Sequence, residues 1–124
     1  MSRNLALALV VALSGGSAAA HAEGDAAAGE KVFSKCKACH IIDAPTNRVG
    51  PSLHGVIGRQ AGHVEGFKYS DAMKDSGVTW DEATLDKYLA DPKAFIPKNK
   101  MAFAGLKSED DRQNVIAYIK QASQ

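Results

Sequence analysis

Two thiols three positions apart, followed at once by an imidazole, stand at Cys36-Lys37-Ala38-Cys39-His40. This Cys-x-x-Cys-His spacing is the attachment pattern of a c-type haem. Cys36 and Cys39 would join the porphyrin edge through thioether bonds, and His40 would reach the iron as an axial ligand. Two other chemistries use cysteines this close. A redox-active pair normally follows a strand in a βαβ unit, and no β-branched run precedes Cys36. A structural zinc site needs further ligands, and His54 and His63 lack the usual finger spacing.

Iron held by His40 leaves its opposite face open or closed by a second side chain. The candidates are His54, His63, Met73 and Met101. His54 and His63 follow His40 so soon that the chain would have to wrap tightly. Met73 sits in a helical pattern, where an apolar filler is the commoner role. Met101 lies 61 residues beyond His40, in a proline-stiffened loop, far enough for the chain to travel round the ring. A thioether suits ferrous iron, and a His/Met pair raises the reduction potential. A closed iron suits electron transfer. An open one would suit a small haem peroxidase or a gas-binding protein, and a haem domain detached from a larger oxidoreductase is a third possibility.

These residues must be placed by the elements around them. An amphipathic helix is expected over Gly24 to Lys35, capped by Asp25 and rich in alanine. It would deliver Cys36, Cys39 and His40 on its last turn. Gly29 and Phe33 share a face of that helix. Pro45, Gly50, Pro51, Gly55 and Gly58 punctuate the next stretch as loop. There the Pro51 carbonyl could hold the far nitrogen of His40, or Pro51 could simply shape a turn. Arg59 is the isolated base of a glycine-rich stretch, free to pair with a buried carboxylate or to face water. A short helix follows over Ser70 to Asp75. Thr79-Trp80-Asp81-Glu82 reads as a capping box, with Thr79 as N-cap. Asp91-Pro92 ends that helix. Pro92 to Gly105 reads as an ordered loop, and Ser108 caps a last helix whose face is Arg112, Val115, Ile116 and Ile119. No strand pattern is present, so the expected fold class is all-α.

Residues 1–22 carry Arg3, a short apolar run from Leu5 to Leu13, and small residues at Ala20 and Ala22. They read as a signal peptide cleaved before Glu23, or alternatively after Ala20, with the domain in 23–124, and so point to export. Cleavage would leave 14 basic residues against 14 acidic ones. That balance makes no case for nucleic acid, so charge must act locally. Lys35 and Lys37 flank Cys36, Lys98 and Lys100 precede Met101, and Lys107 is close by. Together they could form a basic ring round a haem edge and steer docking to an acidic partner.

The ordered series of landmarks is more specific than the haem motif. It runs through Gly29, Phe33, Cys36-Lys37-Ala38-Cys39-His40, Gly50-Pro51-Ser52-Leu53-His54-Gly55 and Gly58-Arg59. It continues with Gly66-Phe67-Lys68-Tyr69, Thr79-Trp80, Tyr88-Leu89, Pro92-Lys93, Ile96-Pro97, Lys100-Met101, Phe103-Ala104-Gly105 and Tyr118. In this the chain resembles the mitochondrial-type, class I cytochrome c family, most of all its bacterial periplasmic cytochrome c-two group. The resemblance implies helices wrapped around one covalently attached haem c. It implies His40 and Met101 as axial ligands to the metal, with the Pro51 carbonyl behind His40. Arg59, Tyr69 and Trp80 would hydrogen-bond round the propionates, Tyr88 would approach the Met101 sulfur, and Phe103 would shield the haem. The implied role is a monomeric electron carrier, not an enzyme, with no small-molecule substrate. Its membrane partners would be quinol–cytochrome c oxidoreductase and then a terminal oxidase or photosynthetic reaction centre. Two positions depart from the family pattern. Met73 stands where an asparagine is common, so a water network with Tyr88 should be altered or dry. Asn99 stands where a threonine is usual, and its amide is expected to reach a propionate or water with different geometry.

Overall fold

A computed structural model describes residues 24–124. The proposed leader therefore lies outside the described residues. The described residues form five helices: α1 Ala26–Phe33, α2 Asp71–Lys74, α3 Glu82–Ala90, α4 Pro92–Phe95 and α5 Glu109–Ala122. The described residues contain no strand, only one isolated antiparallel bridge between Gln60 and Thr79. The all-α expectation holds.

The helix starts follow local chemistry. Asp25 accepts from the amides of Ala27 and Ala28, and Ser108 accepts from Asp111, both as expected. Three boundaries differ. The N-cap of α3 is Asp81, not Thr79, and the reciprocal box is completed by the Thr84 hydroxyl. Thr79 cannot start the helix because Val78 to Trp80 is extended, paired with the Gly58 to Ala61 segment. The Thr84 hydroxyl donates to the Thr79 carbonyl at 2.7 Å, which ties the two segments together. The stretch after Asp91 is not all loop. Asp91 ends α3 and caps α4, whose first residue is Pro92, where a missing N–H costs nothing. Finally, α1 stops at Phe33. Cys36, Cys39 and His40 lie on the turns that follow, closed by Cys36 N–H on Phe33 and by Cys39 and His40 N–H on Cys36.

The first and last helices cross and make the main contact of the fold, while α5 also packs on α3, and α3 on α4. Phe33, Val115, Ile116 and Ile119 are buried at the crossing, and the Phe33 and Tyr118 rings lie 5.2 Å apart. Gly29 is the point of closest approach. A Cβ there would strike the Asn114 carbonyl and come within 2.9 Å of the Tyr118 Cβ. Asn114 also accepts from the Asp25 amide at 2.8 Å, fixing the start of α1 to α5. Arg112 ties α5 to α3 and to the preceding loop. It pairs with Asp86 at 2.8 Å and donates to the carbonyls of Leu106 and Lys107. Trp80, Leu85, Tyr88, Ile96 and Leu106 continue the core below this crossing.

Replacing Gly29 by Ala adds a methyl where backbone already stands. We expect a loss of about 1–3 kcal/mol from the clash, larger than the ~1 kcal/mol of helix propensity gained. Denaturant unfolding of the haem-loaded protein checks this, and an unchanged or raised midpoint would contradict the crossing.

Candidate haem-binding site

His40 is positioned from both sides. Its Nδ1 lies 2.7 Å from the Pro51 carbonyl oxygen. A carbonyl only accepts, so Nδ1 carries the proton. Burial holds the His40 pKa below its usual value; the Pro51 bond opposes this, and nearby Arg59 adds to the lowering. The ring is therefore neutral near pH 7, and its Nε2 lone pair is left for a metal. Gly50 forms the seat of the ring, since a Cβ there would lie 2.7 Å from Nδ1 and 2.9 Å from Nε2. The Gly50 amide in turn donates to the Cys39 carbonyl at 2.9 Å, and Leu53 N–H to Ile41 at 2.8 Å. Attachment loop and proline loop are thus laced together at several points.

Cys36 and Cys39 are half-buried on the turns after α1. Burial, and then Cys39, raise the Cys36 pKa, with Lys35 opposing. A raised thiol is the reverse of what a nucleophilic redox pair needs. No group of three or more metal-ligating side chains occurs among the described residues, and this donor set does not resemble a zinc site.

Met101 is half-buried, and the Tyr88 hydroxyl donates to its sulfur at 3.8 Å. Tyr88 is buried, with its pKa pushed up to about 12 by desolvation. It stays protonated and able to donate throughout the neutral range. Its ring packs 5.0 Å from Trp80 and 6.4 Å from Phe95. Phe103 and Met73 both pack against the same core. The other sixth-ligand candidates are placed differently. His63 is exposed, and His54 lines a cleft of about 340 Å³ with Pro45, Ser52, Arg59, Val64 and Glu65.

Among the described residues, Arg59 pairs with no carboxylate. Its guanidinium donates to the carbonyls of Ser52 and His54, both at 2.9 Å. Its backbone carbonyl accepts from the Trp80 amide at 2.9 Å. Desolvation lowers the Arg59 pKa, and Tyr69 is the neighbour that offsets this. Tyr69 accepts from Val64 N–H at 3.2 Å. Arg59 therefore lies beside Tyr69 and is tied to Trp80 through the backbone. Asn99 does not extend outward as expected. Both amide hydrogens are used inside its own loop, on Pro92 and Ile96 carbonyls, and its oxygen accepts from Met101 N–H.

One residue escaped notice in the sequence. Asn47 donates to the Glu65 carbonyl at 3.0 Å and accepts from the Ser52 amide at 2.9 Å, joining two loops. Nothing in periodicity marks such a bridge; only its place in a turn-rich stretch hints at it.

The profile of the cytochrome c family matches residues 26–123. The chain belongs to the cytochrome c family. It is 56% identical to cytochrome c2 of Rhodomicrobium vannielii over 105 residues, 83% of each chain. It is 62% identical to cytochrome c2 iso-2 of Magnetospirillum molischianum over 96 residues, 77% of this chain and 96% of that one. Among solved structures, cytochrome cH from Methylobacterium extorquens superposes with a TM-score of 0.75 at 50% identity, covering 79% of this chain and 99% of that chain. Covalent haem c goes with this family, and the chain carries the two cysteines for it. The residues present fit the group: an imidazole with Nδ1 held by a carbonyl, two free thiols just before it in the chain, and a thioether that accepts from a buried hydroxyl.

Met73 carries no side-chain donor into this core, and its backbone is satisfied by the hydroxyls of Ser70 and Ser76. Met73→Asn would bring a buried amide that costs about 1–3 kcal/mol if unpaired. Added polarity also favours the more charged ferric state. We expect a midpoint potential lower by roughly tens of millivolts and earlier loss of the native loop in alkaline titration. Voltammetry and titration of the two proteins side by side check this, and no change in either would contradict it.

Proposed function

We propose that His40 and Met101 are the axial ligands of the haem iron, and that Lys35, Lys37, Lys98, Lys100 and Lys107 form the docking face round its exposed edge. The broader role is that of a soluble periplasmic electron carrier with covalently attached haem c, not an enzyme. The observation that carries the ligand reading is the Tyr88 hydroxyl on the Met101 sulfur. A buried donor aimed at a thioether leaves its second lone pair for a soft metal and holds the side chain in one rotamer.

When bound, haem c supplies a one-electron couple at its iron. The protein residues supply the rest. Pro51 and Gly50 hold His40 in one tautomer and one orientation. Tyr88 holds Met101, and the apolar side chains of Trp80, Tyr88 and Phe103 exclude water. Arg59, Tyr69 and Trp80 offer hydrogen bonds and positive charge to carboxylates at the ring edge. A site held this firmly moves little when its charge changes, which favours fast electron transfer.

The relatives named cytochrome c2 support membrane redox complexes as partners. The partners proposed are quinol–cytochrome c oxidoreductase as donor and a terminal oxidase or photosynthetic reaction centre as acceptor. All five lysines are exposed. Exposed charges act through water, so their pull is screened within about 10 Å at 0.1 M salt. Stopped-flow oxidation by a purified oxidase or reaction centre should slow by about tenfold between roughly 0.01 M and 0.15 M salt. Charge reversal at Lys35 or Lys100 should flatten that dependence. A rate indifferent to salt with every such partner would contradict the docking face.

A further inference from the structure

The loop that presents Met101 is held from inside by one buried amide. Asn99 is only 4% exposed. Its Nδ2 donates to the carbonyls of Pro92 and Ile96, each at 2.8 Å. Pro92 opens α4 and Ile96 is its C-cap, so the amide spans that short helix from end to end. Its Oδ1 accepts from the Met101 amide at 2.9 Å. From the solvent side, Lys93 donates to the Asn99 carbonyl at 2.6 Å, with its Nζ also 3.5 Å from Oδ1. An asparagine side chain has two donor hydrogens and two acceptor lone pairs, and here each has a partner.

The loop needs such a restraint. Asn99 N–H closes a turn on the Ile96 carbonyl at 3.2 Å, with Pro97 and Lys98 inside it. Lys98 sits at φ +67°, the one described residue other than glycine in the left-handed region. A side chain with a Cβ is disfavoured there, and such a conformation persists only where surrounding bonds over-determine it. The Asn99 bonds lie on either side of Lys98 and supply that determination.

We infer that Asn99, locked by Lys93, is the positioning residue that sets where Met101 stands, so that the thioether is preorganised by α4 rather than drawn into place by the metal. The inference rests on Met101 being the axial ligand. It differs from a general stabilising role, because the clasp touches only the ligand loop and leaves the α1–α5 crossing alone. A ligand placed by the protein is kept in both oxidation states, whereas one placed by the metal is lost when the bond weakens.

The test uses the haem-loaded protein with Asn99→Ala and Lys93→Met. Two quantities are read: hydrogen exchange at the Met101 amide, and the pH at which the ferric iron–thioether charge-transfer band disappears. Asn99→Ala should speed Met101 exchange by about tenfold or more and move the loss of the band about one pH unit lower, while Val115 and Ile116 amides keep their rates. Lys93→Met should move both readouts the same way, exchange by about threefold and loss of the band by about half a pH unit. If Asn99→Ala yields no haem-loaded protein, Lys93→Met decides: a shift supports the clasp and no shift overturns it. Equal acceleration at Met101 and in α5 would overturn it too, as a merely structural effect. A wild-type protein with no such band would overturn the ligand reading itself. A normal band left untouched by both substitutions would overturn only the clasp.

Discussion

The hydrogen bond from His40 to the Pro51 carbonyl is the constraint on which the site depends. It joins two ends of a loop that has no regular structure of its own. It also sets the chemistry, since the proton on Nδ1 leaves Nε2 as the only nitrogen able to bind a metal. Gly50 makes the geometry tight by letting backbone pass beneath the ring. The Ser52 hydroxyl, bound to Ala44 at 2.6 Å, and Asn47 then keep the proline loop from drifting. These polar bonds to backbone act together with Ile42, which is buried in the core, to hold the loop beside the imidazole.

The two faces of the site are built on different supports. The His40 side hangs from α1, whose position is set by its crossing with α5 at Gly29. The Met101 side hangs from α3 and α4, through Tyr88 and through the loop bonds of Asn99. Arg112 joins the two supports by bridging α5, α3 and the chain before α5. A chain of this size has a thin core, and a covalently held macrocycle would add apolar area to it. The side chains proposed to exclude water from the haem also belong to this core or pack against it: Trp80, Tyr88 and Phe103.

What the sequence made legible was the chemistry tied to spacing. Cys36, Cys39 and His40 are read from three letters and two gaps. Asp25 and Ser108 are read as caps because each precedes a clear helical pattern. Pro51 was ambiguous, because a plain turn and a carbonyl that holds the imidazole use the same residue; only the 2.7 Å contact separates them. Thr79 misled because Thr79–Glu82 satisfies the box pattern by letter, while pairing with the Gly58 to Ala61 segment keeps Thr79 out of the helix and Asp81 with Thr84 forms the box instead. Arg59 and Asn99 were beyond reach for a common reason. Their side chains bind backbone carbonyls, which every residue possesses, so no letter in the sequence marks the partner. The resemblance to cytochrome c supplied their neighbourhood, and the folded chain supplied their bonds.

The central claim is that the second axial position is closed by Met101, making this haem a carrier and not a binding site for small molecules. The most direct measurement is to expose the anaerobically reduced, haem-loaded protein at neutral pH to carbon monoxide and follow its visible spectrum. With Met101 on the iron, the spectrum should hold over the time in which an open ferrous haem would saturate, and the adduct should form rapidly once Met101 is replaced by alanine. Immediate formation of the adduct by the wild-type protein would contradict it.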